Sequence, residues 1–128
     1  MKKDRSLSEL QMEIMRVLWD SGEATVAEVQ TALQEQNREL APTTVATMLS
    51  RLEKRNLITH RTENRQYVYR ALVSERDVRR SMVRDLIGQL FQGDVKALVS
   101  HLVRESEIDA TDLNELKKMI AEKEEKAK

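Results

Sequence analysis

One stretch of the chain, residues 41–72, constrains the fold more than any other. Its first half, APTTVATMLSRLEKRN, places four apolar side chains at the i, i+3, i+4 and i+7 spacing of a buried helix face: Val45, Met48, Leu49 and Leu52. The face nearly opposite is small, hydroxyl-bearing and basic, and consists of Thr43, Thr47, Ser50 and Lys54, with Thr44, Ala46 and Arg51 at its flanks. Because an α-helix fits the major groove of B-DNA, such a face is suited to reading a duplex.

The second half of this stretch, LITHRTENRQYVYRAL, predicts a short β-hairpin. Residues 57–61 alternate with a period of two, residues 62–65 form a turn, and residues 66–72 are rich in β-branched and aromatic side chains. A helix followed at once by a basic hairpin is the pattern of a winged helix.

Charge favours a nucleic-acid partner only locally. The whole chain has 22 basic and 22 acidic residues, so its net charge gives no attraction to DNA. Residues 43–70 have a local excess of four positive charges, because they include six basic residues and only two acidic ones. The basic residues are Arg51, Lys54, Arg55, Arg61, Arg65 and Arg70, and the acidic ones are Glu53 and Glu63. These cations could contact phosphates, or they could only keep the surface soluble and protect the hairpin edge from pairing. The predicted DNA contacts are Thr43, Thr44, Thr47, Ser50, Arg51, Lys54, Arg61 and Arg65.

Two short helices are predicted before this stretch. Ser8 with Gln11 and Thr25 with Glu28 form capping boxes that begin them, and Pro42 is favourable in the first turn of the third helix. The predicted core face of the first helix is Leu10, Ile14, Val17 and Leu18, with Met15 and Trp19 packing at its edge. This is the helix-turn-helix plan, in which the later helix enters the groove, although winged domains that bind protein share the topology.

Three further helices are predicted after the hairpin, capped by Ser74, Asp94 and Asp109. Each carries an apolar stripe, and about 50 residues are too few to bury three such stripes. A second copy of the chain would cover them, while a monomer would need to pack them on the amino-terminal domain. The predicted dimer contacts are Leu86, Leu90, Phe91, Leu98, Leu102, Leu113, Leu116 and Ile120.

The predicted fold is therefore mainly α with a small β-hairpin. A winged helix-turn-helix domain spans residues 1–73, and a three-helix dimerisation region spans residues 74–128. Two copies would allow a palindromic duplex to be read, because each recognition helix reads only a few base pairs.

Enzyme chemistry finds no support in the sequence. His60 and His101 are isolated, cysteine is absent, and three scattered glycines cannot form a phosphate-binding loop, so we expect no catalytic site, metal or cofactor. No signal peptide or membrane span is evident, which predicts a soluble, cytoplasmic protein without a membrane partner.

With these motifs in view, the chain resembles the penicillinase-repressor (BlaI/MecI/CopY) family from about Leu7 to Ile120. The resemblance rests on LSELQMEIMRVLW, TVAEV, APTTVATMLSRLEKRNLI and the YVY strand. It implies a homodimeric winged-helix repressor that binds a palindromic operator and blocks transcription of a β-lactam-resistance or stress-response regulon. It also implies that Thr43, Thr44, Thr47 and Arg51 form the recognition face and that Arg65 reaches the phosphate backbone from the wing tip.

The sequence departs from the family pattern in two places. The copper-responsive branch has a carboxy-terminal cysteine motif that this chain lacks. The β-lactam branch is cleaved at an Asn-Phe bond, where this chain has His101-Leu102. The inducing signal and any upstream sensor or protease are therefore left open. Two other functions also stay open, a protein-interaction module without specific DNA binding and a ligand sensor.

Overall fold

The computed structural model describes residues 7–105 and 108–127, so residues 1–6 and 128, at the ends of the two predicted domains, lie outside it together with 106–107. The described residues form six helices and one antiparallel hairpin, which confirms the predicted fold class. The elements are α1 (Glu9–Ser21), α2 (Val26–Glu35), α3 (Pro42–Lys54), β1 (Ile58–Glu63), β2 (Gln66–Ala71), α4 (Glu75–Phe91), α5 (Val95–Arg104) and α6 (Ala110–Ala127). Within the described ranges, no helix is long and apolar enough to cross a membrane.

Side-chain caps fix where the first helices begin. The Ser8 hydroxyl accepts from the Gln11 amide at 3.1 Å, while the Gln11 side-chain oxygen accepts from the Ser8 amide at 3.0 Å. Thr25 and Glu28 repeat this exchange at the start of α2, at 3.2 and 3.0 Å. Both predicted capping boxes are confirmed. Each satisfies backbone amides that a helix start would otherwise leave unbonded.

The hydrophobic core is formed where α1 packs against α2, α3 and β2. Its fully buried side chains are Ile14, Met15, Leu18, Val29, Leu33, Val45, Leu49, Leu52, Ile58 and Val78. The prediction that Met15 packs at the edge was wrong, because α1 is covered by several elements and its buried face is wider than one stripe. Trp19 is partly buried against this core, and its indole N–H donates to the Val73 carbonyl at 2.9 Å.

The hairpin turn is tighter than predicted. Thr62 pairs with Tyr67 and Glu63 with Gln66, so only Asn64 and Arg65 connect the strands. Both turn residues have positive φ, 51° and 65°, as a two-residue type I′ turn requires. The prediction of a turn over residues 62–65 was therefore wrong for Thr62 and Glu63, which belong to β1.

The sheet is attached to the helices through its second strand. The Ala24 amide donates to the Tyr69 carbonyl at 2.9 Å, and the Tyr69 amide donates to the Ala24 carbonyl at 2.8 Å. Strand β2 therefore has β1 on one side and the link between α1 and α2 on the other.

The chain divides into two compact units between Asp85 and Leu86. The boundary predicted from the sequence lies after residue 73, where the hairpin ends. The first unit continues into α4 because Val78 is fully buried in its core and Met82 packs against it. Ser74 caps α4 as predicted, since its hydroxyl accepts from the Asp77 amide at 3.0 Å.

The second unit contains the end of α4 with α5 and α6. Asp94 and Asp109 cap the two later helices as predicted, with 3.2 and 2.8 Å bonds to backbone amides. The Phe91 and His101 rings lie 6.1 Å apart. All residues of α5 and α6 are described, and none of them is buried. Of the predicted dimer contacts, Leu86, Leu90 and Ile120 are exposed, and the others are half-buried: Phe91, Leu98, Leu102, Leu113 and Leu116.

Candidate nucleic-acid interface

The outward face of α3 is the centre of the candidate interface. The six predicted side chains on this helix are all exposed: Thr43, Thr44, Thr47, Ser50, Arg51 and Lys54. Val45, Leu49 and Leu52 on the inward face are completely buried, while Met48 is half-buried. The structure thus presents the hydroxyl and basic groups on a helix held firmly by its opposite side.

The hydroxyl group of Thr47 is already used as a donor within α3. Its Oγ1 donates to the Thr43 carbonyl at 2.9 Å. The hydroxyl proton is therefore engaged, and what Thr47 offers to solvent is an acceptor oxygen and a methyl group. In a major groove, these groups match an amino group of adenine or cytosine, or the methyl group of thymine.

The cations of α3 lie in its last turn, where Arg51 and Lys54 are both exposed. Positive side chains near a helix C-terminus interact favourably with the helix dipole. Arg51 has the fork geometry that fits the O6 and N7 atoms of guanine, while the Lys54 ammonium suits a phosphate.

The wing tip supplies a third exposed cation. Arg65 is exposed and lies in the turn between β1 and β2, next to Asn64. A two-residue turn places this side chain at the far end of the hairpin, which is the position predicted for a backbone contact.

Arg61, also predicted to contact DNA, is paired within the protein. Its guanidinium donates to the carboxylates of Glu23 and Glu63, including a 3.0 Å bond to Glu23 Oε1. The bond from Arg61 holds the pKa of Glu23 below its ordinary value, and the two carboxylates raise the pKa of Arg61. A phosphate would have to compete with both carboxylates for this side chain.

An open cleft of about 380 Å³ lies beside Arg61. Glu23, Glu28 and Glu63 contribute carboxylates to its lining. This acidic side of the hairpin is unfavourable for phosphate, because like charges repel. Successive strand residues point to opposite faces, so His60 and Arg61 lie on different sides of β1. Within the described ranges, no group of three or more acidic or histidine side chains could hold a metal ion.

A cluster that was not predicted from the sequence joins α3 to the hairpin. Glu53 of α3 contacts His60 of β1, and the His60 ring stacks on Tyr67 of β2. The alternation of the strands could have placed His60 and Tyr67 on one face. The partner on α3 could not be found from spacing, because it depends on how the helix crosses the sheet.

Comparison with known proteins identifies the family. The sequence profile described as Penicillinase repressor matches residues 7–122. Over 124 residues the chain is 31% identical to the transcriptional regulator BlaI of Mycobacterium tuberculosis, covering 95% of this chain and 88% of that protein. Over 122 residues it is 26% identical to the penicillinase repressor of Bacillus licheniformis, covering 95% and 94%.

A solved structure agrees with this assignment for the winged-helix part. The solution structure of the DNA binding domain of the repressor BlaI is similar with a TM-score of 0.52 and 34% identity, over 60% of this chain and 93% of that domain. The chain therefore belongs to the penicillinase repressor family, whose members are winged-helix transcriptional repressors and not enzymes.

Proposed function

We propose that this protein is a homodimeric transcriptional repressor that binds a palindromic operator. The observation that carries the proposal is the exposed face of α3, where hydroxyl and basic groups stand opposite completely buried Val45, Leu49 and Leu52. Membership of a repressor family and the likeness to the DNA binding domain of BlaI support it.

In this proposal α3 lies in the major groove. Thr43, Thr44, Thr47, Ser50 and Arg51 read base edges, while Lys54 and Arg65 contact phosphates. Phosphate contacts supply most of the affinity and its salt dependence, and base contacts supply the choice of site. Arg61 contributes only if DNA displaces its bonds to Glu23 and Glu63.

A second copy of the chain covers the apolar surface of α4, α5 and α6 in this proposal. Leu90, Val95 and Ile120 are 64%, 56% and 58% exposed in the single chain. Exposed apolar patches of this kind mark association surfaces. The proposed contacts are those predicted from the sequence: Leu86, Leu90, Phe91, Leu98, Leu102, Leu113, Leu116 and Ile120. A symmetric dimer presents two α3 helices, which match two inverted half-sites.

Repression follows from occupancy, because a dimer bound across a promoter excludes RNA polymerase. Relatives named methicillin resistance regulatory protein and penicillinase repressor support a β-lactam-resistance or related stress regulon. His101 and Leu102 lie in α5. The family resemblance aligns them with the bond that is cleaved in the β-lactam branch. Because that bond is replaced here, we propose release by a ligand, by a partner or by proteolysis at a different bond.

Enrichment of bound fragments from genomic DNA tests the proposal. We expect recovered fragments to share two inverted half-sites in promoters, and binding to weaken steeply with salt. Arg51→Ala should lose the enrichment, whereas Arg79→Ala, the same change at an exposed arginine of α4, should retain it. Weak, salt-insensitive binding without a shared sequence would favour a protein-interaction module instead.

A further inference from the structure

His60 links the wing, which is the β1–β2 hairpin, to the recognition helix α3. His60 Nδ1 lies 2.7 Å from Glu53 Oε2 and 2.8 Å from Oε1. The His60 ring also stacks on the Tyr67 ring. The two ring centroids are 3.9 Å apart, and the ring planes are nearly parallel, at 18°. Because a carboxylate accepts hydrogen bonds and has no proton to give, Nδ1 is the donor.

The cluster is partly shielded from solvent. The side chains of His60 and Glu53 are only 28% and 31% exposed. Tyr69, which is buried, lies behind the histidine with its ring 5.6 Å away. A hydrogen bond in such a partly desolvated place has a better-defined geometry than a fully exposed pair, which water and salt screen.

The two ends of this contact belong to the two proposed DNA-binding elements. Glu53 lies in the last turns of α3, between Arg51 and Lys54 on the chain. His60 lies in the strand that leads to the wing tip at Arg65. A two-stranded hairpin is marginally stable by itself, so its direction depends on what it packs against.

We propose that Glu53 and His60 are positioning residues for operator binding, which hold the wing at the angle where Arg65 meets phosphate while α3 occupies the groove. This rests on the proposed function, because it assigns a role within the same interface. Neither residue needs to touch DNA. They order the wing before binding, so that less conformational freedom is lost when the complex with DNA forms.

The proposal predicts coupling between distant substitutions. Glu53→Ala should weaken operator binding about 3- to 10-fold, by loosening the wing that carries Arg65. In an Arg65→Ala background the same change should have little effect, because the contact that the wing makes is already absent. Independent sites more than about 7–10 Å apart normally add, so this non-additivity would report the positioning role.

Glu53→Gln is the matched control. It removes the same negative charge as Glu53→Ala but keeps an oxygen that can accept from His60 Nδ1. Any gain in affinity from removing a carboxylate near DNA occurs in both variants. The difference between them therefore isolates the hydrogen bond, and Gln should restore most of the binding that Ala loses.

The experiment uses the full chain and a duplex recovered by selection, with hydrogen exchange of residues 62–67 in the free protein as a second readout. We expect faster wing exchange in Glu53→Ala and in Tyr67→Leu, which removes the stacked ring, and unchanged exchange in Arg79→Ala. Full additivity of Glu53→Ala with Arg65→Ala, equal losses for Ala and Gln, or unchanged wing exchange would each overturn the proposal. If the wild-type chain binds no duplex, the proposed function fails, while faster exchange would still support the wing contact itself.

Discussion

Val78→Ala tests whether the start of α4 belongs to the core of the first compact unit. Val78 is completely buried, although α4 begins with the strongly charged segment ERDVRR. Removing two buried carbons costs about 0.8 kcal/mol each in transfer free energy, and a residual cavity adds to this. We therefore expect the free energy of unfolding to fall by about 2 kcal/mol.

Val83→Ala is the matched control on the same helix. Val83 is 44% exposed, so the same truncation removes less buried surface and leaves no closed cavity. We expect it to cost about 1 kcal/mol less than Val78→Ala.

The free energy of unfolding can be measured in urea with the fluorescence of Trp19 as the signal. Trp19 is the single tryptophan, so it reports on this unit. Low protein concentration limits any contribution from association through Val83. Equal costs for the two variants would refute the assignment of early α4 to the first core.

Trp19→Phe removes the donor to the Val73 carbonyl and should cost about 1 kcal/mol, measured by circular dichroism; an unchanged midpoint would mean that water replaces the indole. Burial raises the pKa of Tyr69, and the nearby Glu53 charge adds a smaller effect. Tyr69 therefore ionises at a lower pH in the unfolded chain than in the folded one. Stability should fall as the pH rises through about 10, and this fall should be smaller in Tyr69→Phe. Leu116→Asp should dissociate the proposed dimer in sedimentation experiments, and a wild-type monomer would contradict the dimer outright. Arg65→Ala should reduce the salt slope of operator binding by roughly one per half-site, and an unchanged slope would exclude the wing from the interface.

Local patterns predicted the elements that depend on neighbours in the sequence. The capping boxes at Ser8 and Thr25 were found because their partners lie three residues away. The exposed face of α3 was found because helical periodicity fixes which side chains share a side. These features are decided within one or two helical turns, so spacing is sufficient.

Long-range contacts were not predictable in the same way. Arg61 was predicted to contact DNA from its charge and position, but Glu23, one of its two carboxylate partners, is 38 residues away. Val78 stood alone among charged residues, and only the packing of α4 on the core made it buried. The sequence shows which groups exist, while their partners depend on how α3, α4 and the hairpin cross.

The most direct test of the central claim is the sequence preference of Arg51→Ala, measured against the wild type on a selected operator and a scrambled duplex at several salt concentrations. If the exposed face of α3 reads bases, the variant should lose about 1–3 kcal/mol on the operator and much less on the scrambled duplex. Arg79→Ala, with the same change of charge, should behave as the wild type on both. Equal losses on the two duplexes would make Arg51 a phosphate contact, and equal binding of both duplexes by the wild type would contradict the account of α3 as a recognition helix.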